Sequence, residues 1–209
     1  MTNKNTAIIL GANGLVGRAL VNTLCQDDRY TKITCLVRAP LANKHFNDPF
    51  SKLEAIVIDF DFLQDYQGYF TVDHVYCCLG TTMKKAGSKE AFRRVDFEFV
   101  HAAAQMSGAQ RAKSFVWISS IGANAKSRNF YLRVKGELEN AILTMPHLAS
   151  PAAVQPPLLD GKRDEYRPLE ETTAKIVNAL HFLMIGPLKK YLPVKPQQVA
   201  LEMIKLQKF

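Results

Sequence analysis

The chain has 209 residues, 47% hydrophobic and 22% charged, the balance of a soluble globular protein with enough residues to bury a real core. The formal net charge is +8 and the pI about 9.3, yet Lys and Arg are scattered and no basic stripe interleaves with aromatic residues; the charge points to an anionic small ligand or a solvated basic surface and away from nucleic acid. The four cysteines, Cys25, Cys35, Cys77 and Cys78, form no C-x-x-C pair, and no His stands at metal-ligand spacing, which argues against a disulfide framework or a metal site and for a reducing compartment.

Along the chain, Thr6 to Leu10 is a short apolar run bounded by glycine and reads as a buried parallel strand. Residues 1–5 lead straight into it with no signal-peptide region. Leu15, Ala19, Leu20, Thr23 and Leu24 then recur at helical spacing. Apolar strands are predicted at Ile33 to Val37, Ala55 to Ile58, His74 to Leu79 and Ser114 to Ser119. A long helix is predicted over Ser88 to Ser107, with Phe92, Val95, Phe99, Ala102 and Met106 inward and Phe97 and Val100 off that stripe. A second helix covers Asn129 to Leu143. A sixth strand covers Leu148 to Val154, where Pro151 argues for an edge. Two helices, about Glu170 to Ile185 and Pro196 to Lys208, close the chain.

Alternating strands and helices predict one α/β domain over 1–209, a Rossmann-type doubly wound parallel sheet, with residues 155–209 as a small helical substrate-side region. The longest apolar stretch, near Ala179 to Ile185, falls far short of the about 20 residues of a membrane helix. A cytoplasmic protein without membrane association is expected.

The segment Gly11-Ala12-Asn13-Gly14-Leu15-Val16-Gly17 lies between a predicted strand and a predicted helix. Glycines allow a tight turn and close approach of backbone to a pyrophosphate, and the helix N-terminus offers unpaired N–H groups and positive partial charge. This context predicts a bound nicotinamide dinucleotide. Arg38 ends the second strand, where a carboxylate would favour NAD and an Arg suits the 2′-phosphate of NADP; NADP(H) is therefore expected, with NAD(H) as the alternative. Asp59, ending the third strand, can either meet the adenine edge or cap the next turn.

Tyr131 and Lys135 stand four residues apart on a predicted helix, hence on one face. A nearby ammonium favours tyrosinate and suits the phenol to proton exchange with a carbonyl or hydroxyl. Ser119-Ser120 ends the preceding strand, where a hydroxyl can bond the same substrate oxygen. His101 and His147 are read as structural or exposed, and Trp117 as core.

With these motifs stand Cys77-Cys78-Leu79-Gly80-Thr81-Thr82, Lys85-Ala86-Gly87, Arg94-Val95-Asp96, Ser119 to Ala123 and Leu159 to Arg163. Together they resemble the atypical short-chain dehydrogenases/reductases of the Tat-interacting-protein oxidoreductase-like group, often labelled nucleoside-diphosphate-sugar epimerase-like. The resemblance implies NADP(H) across the carboxyl ends of the strands. Gly11, Asn13, Gly14, Leu15, Val16 and Gly17 would hold the pyrophosphate and Arg38 the 2′-phosphate. Leu79, Gly80, Thr81 and Lys135 would line the nicotinamide-side ribose. Tyr131 would be the acid/base, helped by Ser120 or, as the second choice, Ser119.

Three departures stand out. Asp96 replaces the Asn of many extended relatives. Gln155-Pro156 replaces an Arg-Pro pair, removing a charge beside the presumed substrate cleft. Only about 55 residues follow Val154, few for the cap of a sugar-nucleotide epimerase. The polar residues Asp160, Gly161, Lys162, Arg163 and Arg167 form either a substrate clamp or a solvated loop. The expected function is an oxidoreductase acting on a small carbonyl or alcohol, as a monomer or homodimer. The alternatives are a non-catalytic NADP(H)-binding regulator and a sugar-nucleotide epimerase or dehydratase.

Overall fold

The computed structural model describes residues 4–157, 159 and 193–209. Six strands form one parallel sheet: β1 (Asn5–Leu10), β2 (Tyr30–Val37), β3 (Leu53–Val57), β4 (His74–Cys77), β5 (Ser114–Ile118) and β6 (Pro151–Val154), in the order β3-β2-β1-β4-β5-β6. The chain runs one way from β1 to β3 and the other from β4 to β6. The carboxyl ends of β1 and β4 thus flank the switch point where such sheets bind ligands. Pro151 sits on an edge strand, as its missing N–H requires.

Period-two alternation sends neighbouring residues to opposite faces. Ala7 and Ile9 of β1, with Cys35, Val116 and Val154, pack under α1 (Leu15–Gln26) and the C-terminal helix, α6 (Pro196–Lys205). Ile8 and Leu10, with Val75, Phe115 and the fully buried Trp117, pack under α4 (Phe99–Ala109) and α5 (Phe130–Leu143). No regular α-helix joins β2 to β3 or β3 to β4; a 3-10 segment, Phe60–Phe70, fills the second gap.

The predicted helix over Ser88 to Ser107 is not one regular helix. α2 (Met83–Ala86) and α3 (Lys89–Arg93) lead into a π-helical stretch, Arg94–Glu98, and then α4. The extra residue in that turn rotates the inward face. Phe92, Asp96, Val100, Ala103 and Ser107 are buried, so Val100 belongs to the core and Val95 does not carry the stripe. Phe97 instead stacks on the His101 ring at 5.7 Å. The helix predicted over Glu170 to Ile185 and the polar loop Asp160 to Arg167 lie outside the described residues.

The amino end of the sheet holds a buried polar cluster. Tyr30 Oη lies 2.6 Å from His74 Nδ1 and 2.8 Å from Tyr76 Oη. His74 Nε2 lies 2.7 Å from the Lys208 carbonyl, and Phe209 packs edge-on against the same imidazole, so the C-terminal residues are clamped beneath the strands.

Candidate nucleotide-binding and proton-transfer site

The turn after β1 is shaped by backbone contacts that no side chain can share. Gly11 has φ +86°, and a Cβ on it would stand 2.6 Å from the carbonyl carbon and oxygen of Cys78, beyond β4. A Cβ on Gly17 would stand 2.2 Å from the Gly11 carbonyl oxygen. These contacts close the turn against the segment after β4. α1 begins at Leu15 with Gly14 as N-cap, no side chain bonded to its first turn and no acidic residue in that turn. The positive end of the helix is therefore left for an anion. Val16 is only 4% exposed, so its contribution to a ligand is its backbone.

Asn13 Nδ2 donates to the Ala39 carbonyl at 3.1 Å, tying the turn to the chain leaving β2. The neighbouring Arg38 is exposed and makes no ion pair among the described residues. Asp59 caps the 3-10 segment: its Oδ1 accepts from Asp61 N at 2.9 Å. Of the two roles open to Asp59, its side chain adopts the cap.

The second half of the site gathers on α5. Asn129 Oδ1 accepts from Leu132 N and starts the helix at Phe130, which sets Tyr131 and Lys135 one turn apart on one face. Tyr131 is half-buried against Phe92, ring centroids 5.6 Å apart. Lys135 is only 3% exposed. Its Nζ lies 2.8 Å from Asp96 Oδ1, itself 1% exposed, and 3.4 Å from the Ile118 carbonyl. Asp96 Oδ2 accepts from Thr81 N at 2.7 Å. Leu79, Gly80 and Thr81 follow β4, and a Cβ on Gly80 would meet Asp96 Oδ1 at 3.5 Å. Burial raises the Asp96 carboxyl above its usual value, opposed by the Lys135 ammonium and the Thr81 N–H. Gly136 has a role the sequence reading missed: a Cβ there would stand 2.2 Å from Ala125 N, so glycine lets the loop after β5 cross α5 beside Lys135.

Ser119 and Ser120 leave β5 toward this cluster. Among the described residues, Ser119 is 3% exposed with no hydrogen-bond partner for its hydroxyl, whereas the half-buried Ser120 Oγ reaches only the Ile121 carbonyl, at 3.4 Å. Gln155 is occupied elsewhere: its Nε2 donates to both carboxylate oxygens of Glu139, at 2.8 and 3.0 Å, on an exposed part of α5. The side chain that departs from the Arg-Pro pattern thus bonds a helix carboxylate.

The residues present fit a dinucleotide: two glycines where any Cβ would strike backbone, a helix N-terminus with no side-chain cap, and an exposed guanidinium at the end of β2.

Comparison with known proteins agrees with this geometry. A family model described as NAD(P)H-binding matches residues 11–152. Protein HTATIP2 of Rattus norvegicus is 34% identical over 183 residues, covering 86% of this chain and 73% of that protein. Protein FMP52-1, mitochondrial, of Scheffersomyces stipitis is 29% identical over 188 residues, covering 88% of this chain and 79% of that protein. The crystal structure of the Bordetella bronchiseptica enzyme WbmG in complex with NAD superposes with a TM-score of 0.64 at 14% identity over 84% of this chain, which spans 60% of that enzyme's length.

The expectation of a cytoplasmic protein is corrected by these relatives. FMP52-1 and the FMP52 proteins of Lodderomyces elongisporus and Candida albicans are named as mitochondrial. The earlier expectation rested on residues 1–5 and hydropathy alone, neither of which reports an organelle. Among the described residues no helix is long and apolar enough to cross a membrane. With a glycine turn of this shape, a parallel Rossmann-type 3-2-1-4-5-6 sheet and these relatives, the chain belongs to the NAD(P)H-binding family, among the relatives of HTATIP2.

Proposed function

We propose that this protein is an NADP(H)-dependent oxidoreductase acting on a small carbonyl or alcohol. The observation that carries the reading is the placement of Tyr131 and a fixed Lys135 on one face of α5, at the same end of the sheet as the glycine turn. The preference for NADP(H) is supported by Arg38, exposed beside the Asn13–Ala39 bond, with no carboxylate at the end of β2.

In this reading, backbone N–H groups of the turn from Gly11 to Gly17, with Asn13 as its tether to Ala39, hold the pyrophosphate, and Arg38 forks the 2′-phosphate. Leu79, Gly80, Thr81 and Lys135 border the nicotinamide-side ribose. When bound, the reduced nicotinamide supplies the hydride. Tyr131 exchanges the proton with the substrate oxygen, and Ser120 turns its weakly held hydroxyl to the same oxygen.

The test is NADPH oxidation across a panel of aldehydes and ketones. On any substrate that turns over, Tyr131→Phe lowers kcat by about 10²–10⁴-fold while NADPH affinity stays close to that of the wild type. Unchanged turnover in Tyr131→Phe contradicts the proton role. NADPH binding without oxidation across the panel replaces this reading with that of a non-catalytic dinucleotide binder.

A further inference from the structure

The net charge of +8 is not spread evenly over the chain. The segments that leave β4 (residues 81–93) and β5 (residues 119–133) together carry seven Lys or Arg and a single acid, Glu90. Both segments belong to the half of the sheet that holds Tyr131, across the switch point from β2 and Arg38. On the reading above, Arg38 and the turn after β1 take the phosphates of the dinucleotide, so the cofactor does not account for this second concentration of positive charge.

Two of these cations meet on one ring beside Tyr131. Lys89 Nζ lies 5.6 Å and Arg133 Cζ 5.5 Å from the centre of the Phe130 ring. Phe130 and Tyr131 both pack against the fully buried Phe92, at ring centroid distances of 5.8 and 5.6 Å, so one core side chain fixes the cation-bearing ring next to the tyrosine. Arg133 also donates to the Ser127 carbonyl at 3.1 Å, which orders its guanidinium. The carboxylate beside it, Glu137, pairs with Arg93 and comes only to 4.0 Å of Arg133. The first turn of α5 holds no acidic residue, so the positive end of that helix adds to the same field. Lys84, Lys126 and Arg128, exposed on the same two segments, have no ion pair among the described residues.

We propose that the substrate is itself an anion, a small aldehyde or ketone that also carries a carboxylate or phosphate, and that Lys89 and Arg133 are the residues that select it. This selectivity rests on the oxidoreductase reading above and narrows its substrate. A guanidinium and an ammonium on one ring suit an oxyanion, the first through a two-pronged hydrogen bond and the second as a point charge. The charged group takes no part in bond making. Hydride from the reduced dinucleotide joins the carbonyl carbon, one proton joins the oxygen, and the anion leaves unchanged on the product alcohol. The surrounding cations draw such a substrate toward Tyr131, and salt weakens that attraction.

The test follows NADPH oxidation with matched probes: succinic semialdehyde against butanal for the carboxylate, and phosphoglycolaldehyde against glycolaldehyde for the phosphate. The quantity read is the ratio of kcat/KM for the charged probe to that for its neutral counterpart. In the wild type at least one ratio exceeds about ten and falls as salt rises, and the larger ratio names the anion. Lys89→Gln and Arg133→Gln each lower that ratio by about tenfold or more, the size of one charge-assisted hydrogen bond, with the loss in KM. Wild-type ratios at or below one overturn the proposal. So do variants that slow both members of a pair equally, the mark of a purely structural role for the two side chains. Calorimetric titration of succinate and phosphoglycolate into the protein with NADP present separates the anion site from the oxidoreductase reading. Binding that both variants lose, with no carbonyl probe turned over, contradicts the oxidoreductase reading and upholds the anion site. Neither binding nor turnover in the wild type overturns the proposal.

Discussion

Gly17→Ala opposes two effects of known size. Gly17 lies in the first turn of α1, and in a helix Ala is favoured over Gly by about 1 kcal/mol. Propensity alone therefore predicts a more stable protein. The structure predicts the reverse. The new Cβ would stand 2.2 Å from the Gly11 carbonyl oxygen, 2.8 Å from Ala12 Cα and 2.9 Å from the Gly11 carbonyl carbon, all backbone. No flexible side chain can move aside, so α1 must shift against the turn after β1. Overpacking of this kind costs about 1–3 kcal/mol, and a backbone overlap belongs at the upper end. The net effect is a loss of about 1–2 kcal/mol, or roughly 2–8 °C in Tm for a domain of this size. The shift also opens the turn proposed to hold the pyrophosphate, so on that reading NADPH affinity falls with it. Thermal unfolding and NADPH titration of Gly17→Ala, beside Gly68→Ala as a control with nothing within 4 Å of its Cβ, make the comparison. A Gly17→Ala protein that melts higher and binds NADPH as the wild type does would refute the close-approach argument.

Two further outcomes follow from the same coordinates. Asp59→Ala removes the cap on the 3-10 segment and costs about 0.5–1 kcal/mol in urea unfolding, with NADPH affinity unchanged; a clear loss of affinity would restore the adenine-edge role. Burial lowers the pKa of His74 below the usual 6.5, so the folded protein keeps it neutral while the unfolded chain takes up a proton as pH falls through that value. Stability from this residue is fully present above about pH 6.5 and declines below it, by at most about 1.4 kcal/mol per pH unit. His101, also lowered by burial, adds to the same trend. Urea unfolding of the wild type and His74→Gln at several pH values should show a shallower decline in the variant, and equal slopes would contradict the assignment.

The parts of the fold set by local pattern were legible in the chain. Short apolar runs bounded by Gly or Asp marked the strands, and Pro151 marked an edge because proline lacks a donor. The glycine turn and the Tyr131–Lys135 pair were legible because their chemistry needs particular residues at particular spacings. What hid from the sequence was decided by tertiary contacts. The π-helical turn at Arg94–Glu98 lies on an inward face one residue on from the apolar stripe, and because that face holds Asp96 and Ser107, apolar periodicity passes it over. It converts Asp96 from a polar residue inside a helix into the partner of Lys135. The trace in the sequence was the spacing Phe92, Asp96, Val100, Ala103, Ser107, an inward face with a carboxylate in the middle. The Gln155–Glu139 bond was hidden for a related reason: the two residues are sixteen apart in the chain, and the packing of β6 beside α5 brings them together.

Recognition of NADP(H) at the turn from Gly11 to Gly17, with Arg38 on the 2′-phosphate, is the claim on which the rest depends. Calorimetric titration of NADPH and NADH into the wild type and Arg38→Ala tests it most directly. The account predicts that the wild type binds NADPH more tightly than NADH. Arg38→Ala should lose NADPH affinity by about 10–100-fold, the worth of a charge-assisted hydrogen-bonded pair, and keep its NADH affinity. Equal losses for both nucleotides, or a wild type that binds neither, would contradict it.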